Sequence, residues 1–188
     1  VLGIQGKYDE AIKAFDRAIE INPQYADAWS NKGTALGNQD KYDEALKAFD
    51  RAIKINPQDA KAWSNKGYAL TAQRKYDEAI KAFDRAIEIN PQNAEAWYNK
   101  GNALKAKRKY DEAIEAYDRA IKINPQDAIA WSNKGVAFGS QGKYEEAIRA
   151  FHRAIEIDPQ YAEAWYNKGT TSIIRASTMR PSKHLTGP

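Results

Sequence analysis

Tryptophan stands at positions 29, 63, 97, 131 and 165 of this 188-residue chain, one every 34 residues. Gly33, Gly67, Gly101, Gly135 and Gly169 keep that step, as do Tyr8, Tyr42, Tyr76, Tyr110 and Tyr144, and Pro23, Pro57, Pro91, Pro125 and Pro159. A period of this length restricts the chain to stacked copies of one supersecondary unit, because one such unit cannot bury its apolar face alone. Four full units run over residues 26–59, 60–93, 94–127 and 128–161. Residues 1–25 read as a partial unit, mainly a second helix near 7–21. Residues 162–175 read as another, a first helix, and residues 176–188 as an irregular or disordered tail.

Within unit 60–93, Trp63, Gly67 and Leu70 fall at i, i+4 and i+7, the spacing of one helix face. After a break around Gln73 to Lys75, Ala79, Phe83, Ala86 and Ile87 repeat that spacing. Asn90-Pro91 stops the second helix, since proline cannot continue it and restricts the residue before it. Asp59, Asn93 and Asp127 stand where the next helix takes an N-cap, whereas Tyr25 and Tyr161 hold that place elsewhere. The small residues Gly67, Ala62, Ala69, Ala79 and Ala86 make room for Trp63, Tyr76 and Phe83.

The pattern A-x-A-W-x-N-x-G-x-A-L, followed by K-Y-D-E-A-[IL]-x-A-[FY]-x-R-A-I-x-[IL]-[ND]-P, closely resembles the tetratricopeptide repeat over about residues 1–174. The resemblance implies an all-α, right-handed α-solenoid superhelix of helix-turn-helix units. It also implies a non-catalytic interaction scaffold whose concave groove takes a protein or peptide ligand, either an extended peptide or a partner's helix. Lys32, Lys66, Lys100, Lys134 and Lys168 precede the glycine where leucine is more usual. These lysines are expected to lay their stems on the packing edge with the ammonium in water.

The repeated copies supply their own comparison. The second helix barely changes, reading KYDEALKAFDRAIKINP in one unit and KYDEAIKAFDRAIEINP in the next. In the first helix, counting at about 100° per residue, the positions two before and two, five and nine after each tryptophan lie opposite its packing stripe. By the resemblance that side lines the groove. It holds Asp27, Lys61, Glu95, Ile129 and Glu163; Asn31, Asn65, Asn99, Asn133 and Asn167; and Thr34, Tyr68, Asn102, Val136 and Thr170, flanked by Ser30, Ser64, Tyr98, Ser132 and Tyr166. A carboxamide both donates and accepts hydrogen bonds. A row of asparagines can therefore bond the main chain of an extended peptide, the role the resemblance implies, or it can lock one repeat to the next. Tyr68, Tyr98 and Tyr166 suit recognition anchors, being large, amphipathic and poor in rotors. Ile129 and Val136 form a small apolar patch.

Other functions find little support. Absence of cysteine removes disulfides, zinc ribbons and thiol nucleophiles. His152 takes the place of Asp16, Asp50, Asp84 and Asp118 on a second helix, His184 lies in the tail, and no metal-ligand spacing or phosphate loop is present. No enzyme, cofactor or metal is expected. A chaperone-tail carboxylate clamp is not expected either, since Ser or Tyr, never Lys, follows each tryptophan. The net charge of +4 includes Arg175, Arg180 and Lys183 near the end, which leaves the rest at +1. Lys105, Lys107, Arg108 and Lys109 form a basic run at one turn, a weak basis for a nucleic-acid module. No apolar run is long enough for a membrane helix and no signal peptide opens the chain, so a cytoplasmic location is expected. The first helix near 162–175 and the second helix near 7–21 together spell one repeat. Head-to-tail self-association into a structural array is therefore a further expectation.

Overall fold

The computed structural model describes residues 2–178, with side chains from residue 6 onward. These residues form ten α-helices and, among the described residues, no strand. They are α1 (Leu2–Ile21), α2 (Ala26–Gly37), α3 (Tyr42–Ile55), α4 (Ala60–Ala72), α5 (Tyr76–Ile89), α6 (Ala94–Ala106), α7 (Tyr110–Ile123), α8 (Ala128–Ser140), α9 (Tyr144–Ile157) and α10 (Ala162–Thr178). The chain divides after Lys109 into two compact units, the first holding α1–α6 and the second α7–α10. In both, helix-turn-helix copies recur as the 34-residue period requires.

The glycine of each first helix lets the second approach. A Cβ at Gly33 would lie 2.6 Å from Phe49, one at Gly67 2.6 Å from Phe83, and one at Gly135 2.7 Å from Phe151. Those rings are almost wholly buried, as are the alanines around them, including Ala45, Ala52, Ala79, Ala86, Ala147 and Ala154. The core of each unit thus sets aromatic rings among alanines, phenylalanine beneath a glycine at Phe49, Phe83 and Phe151, and fully buried Tyr117 in the same column of α7. Asp59 and Asp127 cap α4 and α8 by accepting from two backbone N–H groups each, and Asn93 caps α6 through one, at 2.9–3.0 Å. Tyr25 gives α2 no side-chain cap.

The turn after the first helix carries a feature that composition hides. Asp40, Arg74, Arg108 and Gly142 occupy one column and all have φ between 59° and 75°, the left-handed region where glycine is cheapest. At Asp40 the Tyr42 hydroxyl donates to the carboxylate at 2.7 Å. This bond, helped by desolvation, pushes the Tyr42 pKa up to about 12.

Three expectations need correction. Helix α1 begins at Leu2, not near residue 7. Gly6 shares the column of the turn residues, yet α1 runs through it, and a Cβ there meets nothing within 4 Å. Helix α10 runs to Thr178, past the expected end at 175, because the turn column there holds Ala176, a strong helix former. Residues 177 and 178 are helical accordingly, and the rest of the predicted tail lies outside the described residues. The lysines do not leave their ammonium groups in water alone. Lys32, Lys66, Lys100 and Lys134 each pair with an aspartate of the preceding second helix, respectively Asp16, Asp50, Asp84 and Asp118, at 2.5–2.6 Å. Each ammonium also lies 5.2–5.5 Å from the centroid of the neighbouring tryptophan ring. Trp97 is half-buried, and its Nε1 donates to the Pro91 carbonyl at 3.1 Å. The same bond recurs at Trp29, Trp63, Trp131 and Trp165.

Candidate peptide-binding groove

In the first unit, the first helices touch one another across repeats, α2 with α4 and α4 with α6, while the second helices α3 and α5 do not. The stack therefore bends toward its first helices, and the side of α2, α4 and α6 turned away from their partners lines the hollow. A depression of about 760 Å³ runs there, with Asp27 and Asn31 of α2, Lys61 and Asn65 of α4, and Glu95 of α6 on its walls. The connecting turns add Asn56, Asn90 and Asn93. A second hollow of about 160 Å³ adjoins it, sharing Ser64, Asn65 and Glu95 and reaching Tyr68 and Asn99. Six of the predicted site residues, Asn31, Lys61, Asn65, Tyr68, Glu95 and Asn99, thus gather along one trough.

Their local bonding differs. Asn31 is exposed, whereas Asn65 is half-buried and donates from Nδ2 to Thr34 Oγ1 at 3.1 Å, a bond from one repeat to the previous one. Lys61 and Glu95 are exposed, and Tyr68 retains 59% of its surface. Tyr98 and Asn102 are half-buried on α6, have contacts of their own and line neither hollow. The basic run is tied down in part, since Lys107 pairs with Asp77. That hydrogen bond, more than the neighbouring lysine charges, holds the Asp77 carboxyl below the ordinary aspartate value.

In the second unit, α8 touches α10, while α7 and α9 do not touch. Ile129 and Tyr166 are exposed, at 51% and 70%. Asn133 donates to the Ile129 carbonyl of its own helix at 3.1 Å. Val136 and Asn167 line a cavity of about 200 Å³ with Phe151 and Tyr144.

The model of the tetratricopeptide repeat family matches residues 4–60, 31–94, 64–128, 98–162 and 132–171, overlapping windows that span nearly the whole chain. The chain belongs to the tetratricopeptide repeat family. Among solved structures, MamA is similar at a TM-score of 0.79 and 26% identity, over 84% of this chain and 92% of that one. YrrB, described as a tetratricopeptide repeat protein with an unusual peptide-binding site, is similar at 0.76 and 27%, over 89% and 87%. Among curated proteins, an uncharacterized protein, MJ0572, of Methanocaldococcus jannaschii is 49% identical over 35 residues, 19% of this chain and 41% of its own length. The aligned stretch thus spans less than half of that archaeal relative.

Two sets of groove residues in this tetratricopeptide repeat protein escaped the angular count from each tryptophan. The turn asparagines Asn56 and Asn90 precede the repeat proline and read only as helix stops. Gly37 and Gly139, eight residues after their tryptophans, lie about 80° round the helix, between packing stripe and groove. Column variation was the available signal there, since the same place holds Thr71, Lys105 and Ile173 in the other copies. Among the described residues, no group of His, Asp and Glu could hold a metal ion, and no helix is long and apolar enough to cross a membrane.

Proposed function

We propose that this tetratricopeptide repeat protein is a non-catalytic interaction scaffold that holds an extended peptide along α2, α4 and α6. The observation that carries this reading is the pair of adjoining hollows, joined at Asn65, along which Asn31, Asn65 and Asn99 recur at repeat spacing beside exposed Tyr68. An extended chain has unpaired N–H and C=O groups along its length, and a carboxamide serves either kind. Asn65 spends one donor on Thr34 and keeps an acceptor for a ligand. The likeness to YrrB, itself described by its peptide-binding site, supports the same reading. Selection from a display library of short unstructured peptides tests it, run in parallel on the wild type and on the N31A/N65A/N99A variant. Ligands enriched on the wild type and lost on the variant, with far-UV circular dichroism unchanged, support the groove. Equal enrichment on both overturns it.

A second reading, head-to-tail association of this 188-residue chain, is favoured by one contrast. A Cβ at Gly169 meets open space, whereas the equivalent glycines of α2, α4 and α8 lie against a phenylalanine. Phe15, which holds the phenylalanine column in α1, is only half-buried. Docking α10 of one copy on α1 of the next would bring those two residues into the contact seen at Gly67 and Phe83. Sedimentation equilibrium over a wide concentration range checks this: growing mass supports stacking, and a constant monomer mass contradicts it.

A further inference from the structure

Gly37 sits in the last turn of α2, where a Cβ would meet nothing within 4 Å. Neither close packing nor a left-handed backbone requires glycine there, and glycine weakens a helix relative to alanine. What the missing side chain does is open the hollow of about 160 Å³ between α2 and α4, floored by Phe49 and Ala69 and flanked by Tyr68. That volume is close to the roughly 150 Å³ that admits a benzene-sized group. The arrangement recurs in the other unit. Gly139 occupies the same column on α8, a Cβ there makes only ordinary contact at 3.9 Å with Ala147, and the cavity beside it, about 200 Å³, rests on Phe151. Beside the Gly37 hollow the trough is acidic: Asp27, Asp59 and Glu95 stand against Lys61. Glu95 borders both spaces.

We infer that the Gly37 hollow seats one aliphatic side chain of a peptide whose flanking residues are lysine or arginine, selected by the exposed carboxylates of Asp27 and Glu95. This rests on the groove reading above and adds the chemical class of its ligand. Phe49, Ala69 and the Tyr68 ring give the hollow an apolar floor between polar walls that include Thr34, Ser64 and Asn65, and covering that floor with one aliphatic side chain is worth roughly ten- to a hundredfold. The exposed carboxylates supply discrimination and salt sensitivity, because charges at a wet rim act over about a Debye length and repel an acidic segment.

Three synthetic peptides on a glycine-serine framework test the inference by fluorescence anisotropy at low and high salt. One carries a leucine flanked on both sides by lysines, one has glycine for the leucine, and one has glutamates for the lysines. Against the wild type, loss of the leucine is expected to cost roughly ten- to a hundredfold in affinity, and the glutamate peptide is expected not to bind. Gly37→Leu, which fills the hollow, is expected to weaken the leucine peptide to the level of the glycine one. Gly37→Ala checks that an added side chain there leaves the fold and its melting temperature intact. D27N/E95Q is expected to flatten the salt dependence. Equal affinity for leucine and glycine peptides, or binding of the glutamate peptide as tight as that of the lysine one, overturns the inference. So does failure of the lysine-leucine peptide to bind while the display selection still yields ligands lost on N31A/N65A/N99A. Failure of both experiments overturns the groove itself.

Discussion

Lys66 Nζ lies 2.6 Å from Asp50 Oδ1 and 5.4 Å from the centroid of the Trp63 ring. One cation thereby ties the second helix of a repeat to the first helix of the next, and its stem and charge cover the indole. Lys168 keeps the ring contact, at 5.4 Å from Trp165, but the aspartate column opposite holds His152, which pairs with Glu156 of its own helix at 3.4 Å. His152→Asp is expected to restore the pair and to stabilise the α9–α10 contact by about 0.5–1 kcal/mol, the range for a partly exposed ion pair. Chemical denaturation monitored by far-UV circular dichroism checks it, and the gain should shrink in high salt.

Glycine in one column has opposite consequences at two sites. At Gly67 a Cβ would lie 2.6 Å from Cε1 of fully buried Phe83, so Gly67→Ala is expected to destabilise by about 1–3 kcal/mol through overpacking. At Gly169 the space is open, so Gly169→Ala is expected to stabilise α10 by about 0.5–1 kcal/mol through helix propensity alone. Urea midpoints of the two variants should move in opposite directions.

Arg74 has φ of 61° at the turn into α5. A left-handed non-glycine residue costs about 1–2 kcal/mol, so Arg74→Gly is expected to raise the melting temperature even though it removes a side chain. The reverse substitution in the same column, Gly142→Ala, is expected to lower it by a similar amount. Differential scanning calorimetry of the pair is the check.

Trp97 is half-buried and spends its N–H on Pro91. Trp97→Ala is therefore expected to cost about 2–3 kcal/mol, short of the 3–5 kcal/mol of a fully enclosed aromatic. Trp97→Phe, which keeps most of the ring, is expected to cost about 1 kcal/mol for the lost hydrogen bond. Equilibrium denaturation curves in urea separate the two values.

Hydrogen bonds from Lys107 to Asp77, and from Gln141 and then Lys143 to Asp111, hold both carboxyls below the ordinary aspartate value of 3.8. A lowered folded-state pKa contributes stability above the unfolded value and loses it as pH falls through the folded one. Stability is therefore expected to drop on acidification below about pH 4, and Asp77→Asn is expected to make that drop shallower. Urea midpoints measured across the acid range show it directly.

Much of this molecule was legible from the 34-residue step. Helix starts at Tyr42, Tyr76, Tyr110 and Tyr144, the aspartate and asparagine caps and the glycine–phenylalanine packing all follow from apolar spacing and residue type. The Lys–Asp clip did not, because its partners stand sixteen residues apart on different helices, a distance that no single-helix periodicity encodes. The left-handed turn was hidden because three of its four residues, Asp40, Arg74 and Arg108, are not glycine. The extents of α1 and α10 are hidden for a related reason: in each, a residue at the turn column continues the helix, Gly6 in one and Ala176 in the other. The hollow at Gly37 comes from an absent side chain, and an absence becomes visible only when neighbouring helices are set around it.

Because Lys32, Lys66, Lys100 and Lys134 fasten their repeats with the same two partners, each seam is interchangeable with the others. A module spliced in or cut out at such a joint would meet a matching clasp on both sides. The ancestral gene could therefore have lengthened by tandem copying without inventing a new contact, leaving later divergence free to act on the hollow rather than on the stitching.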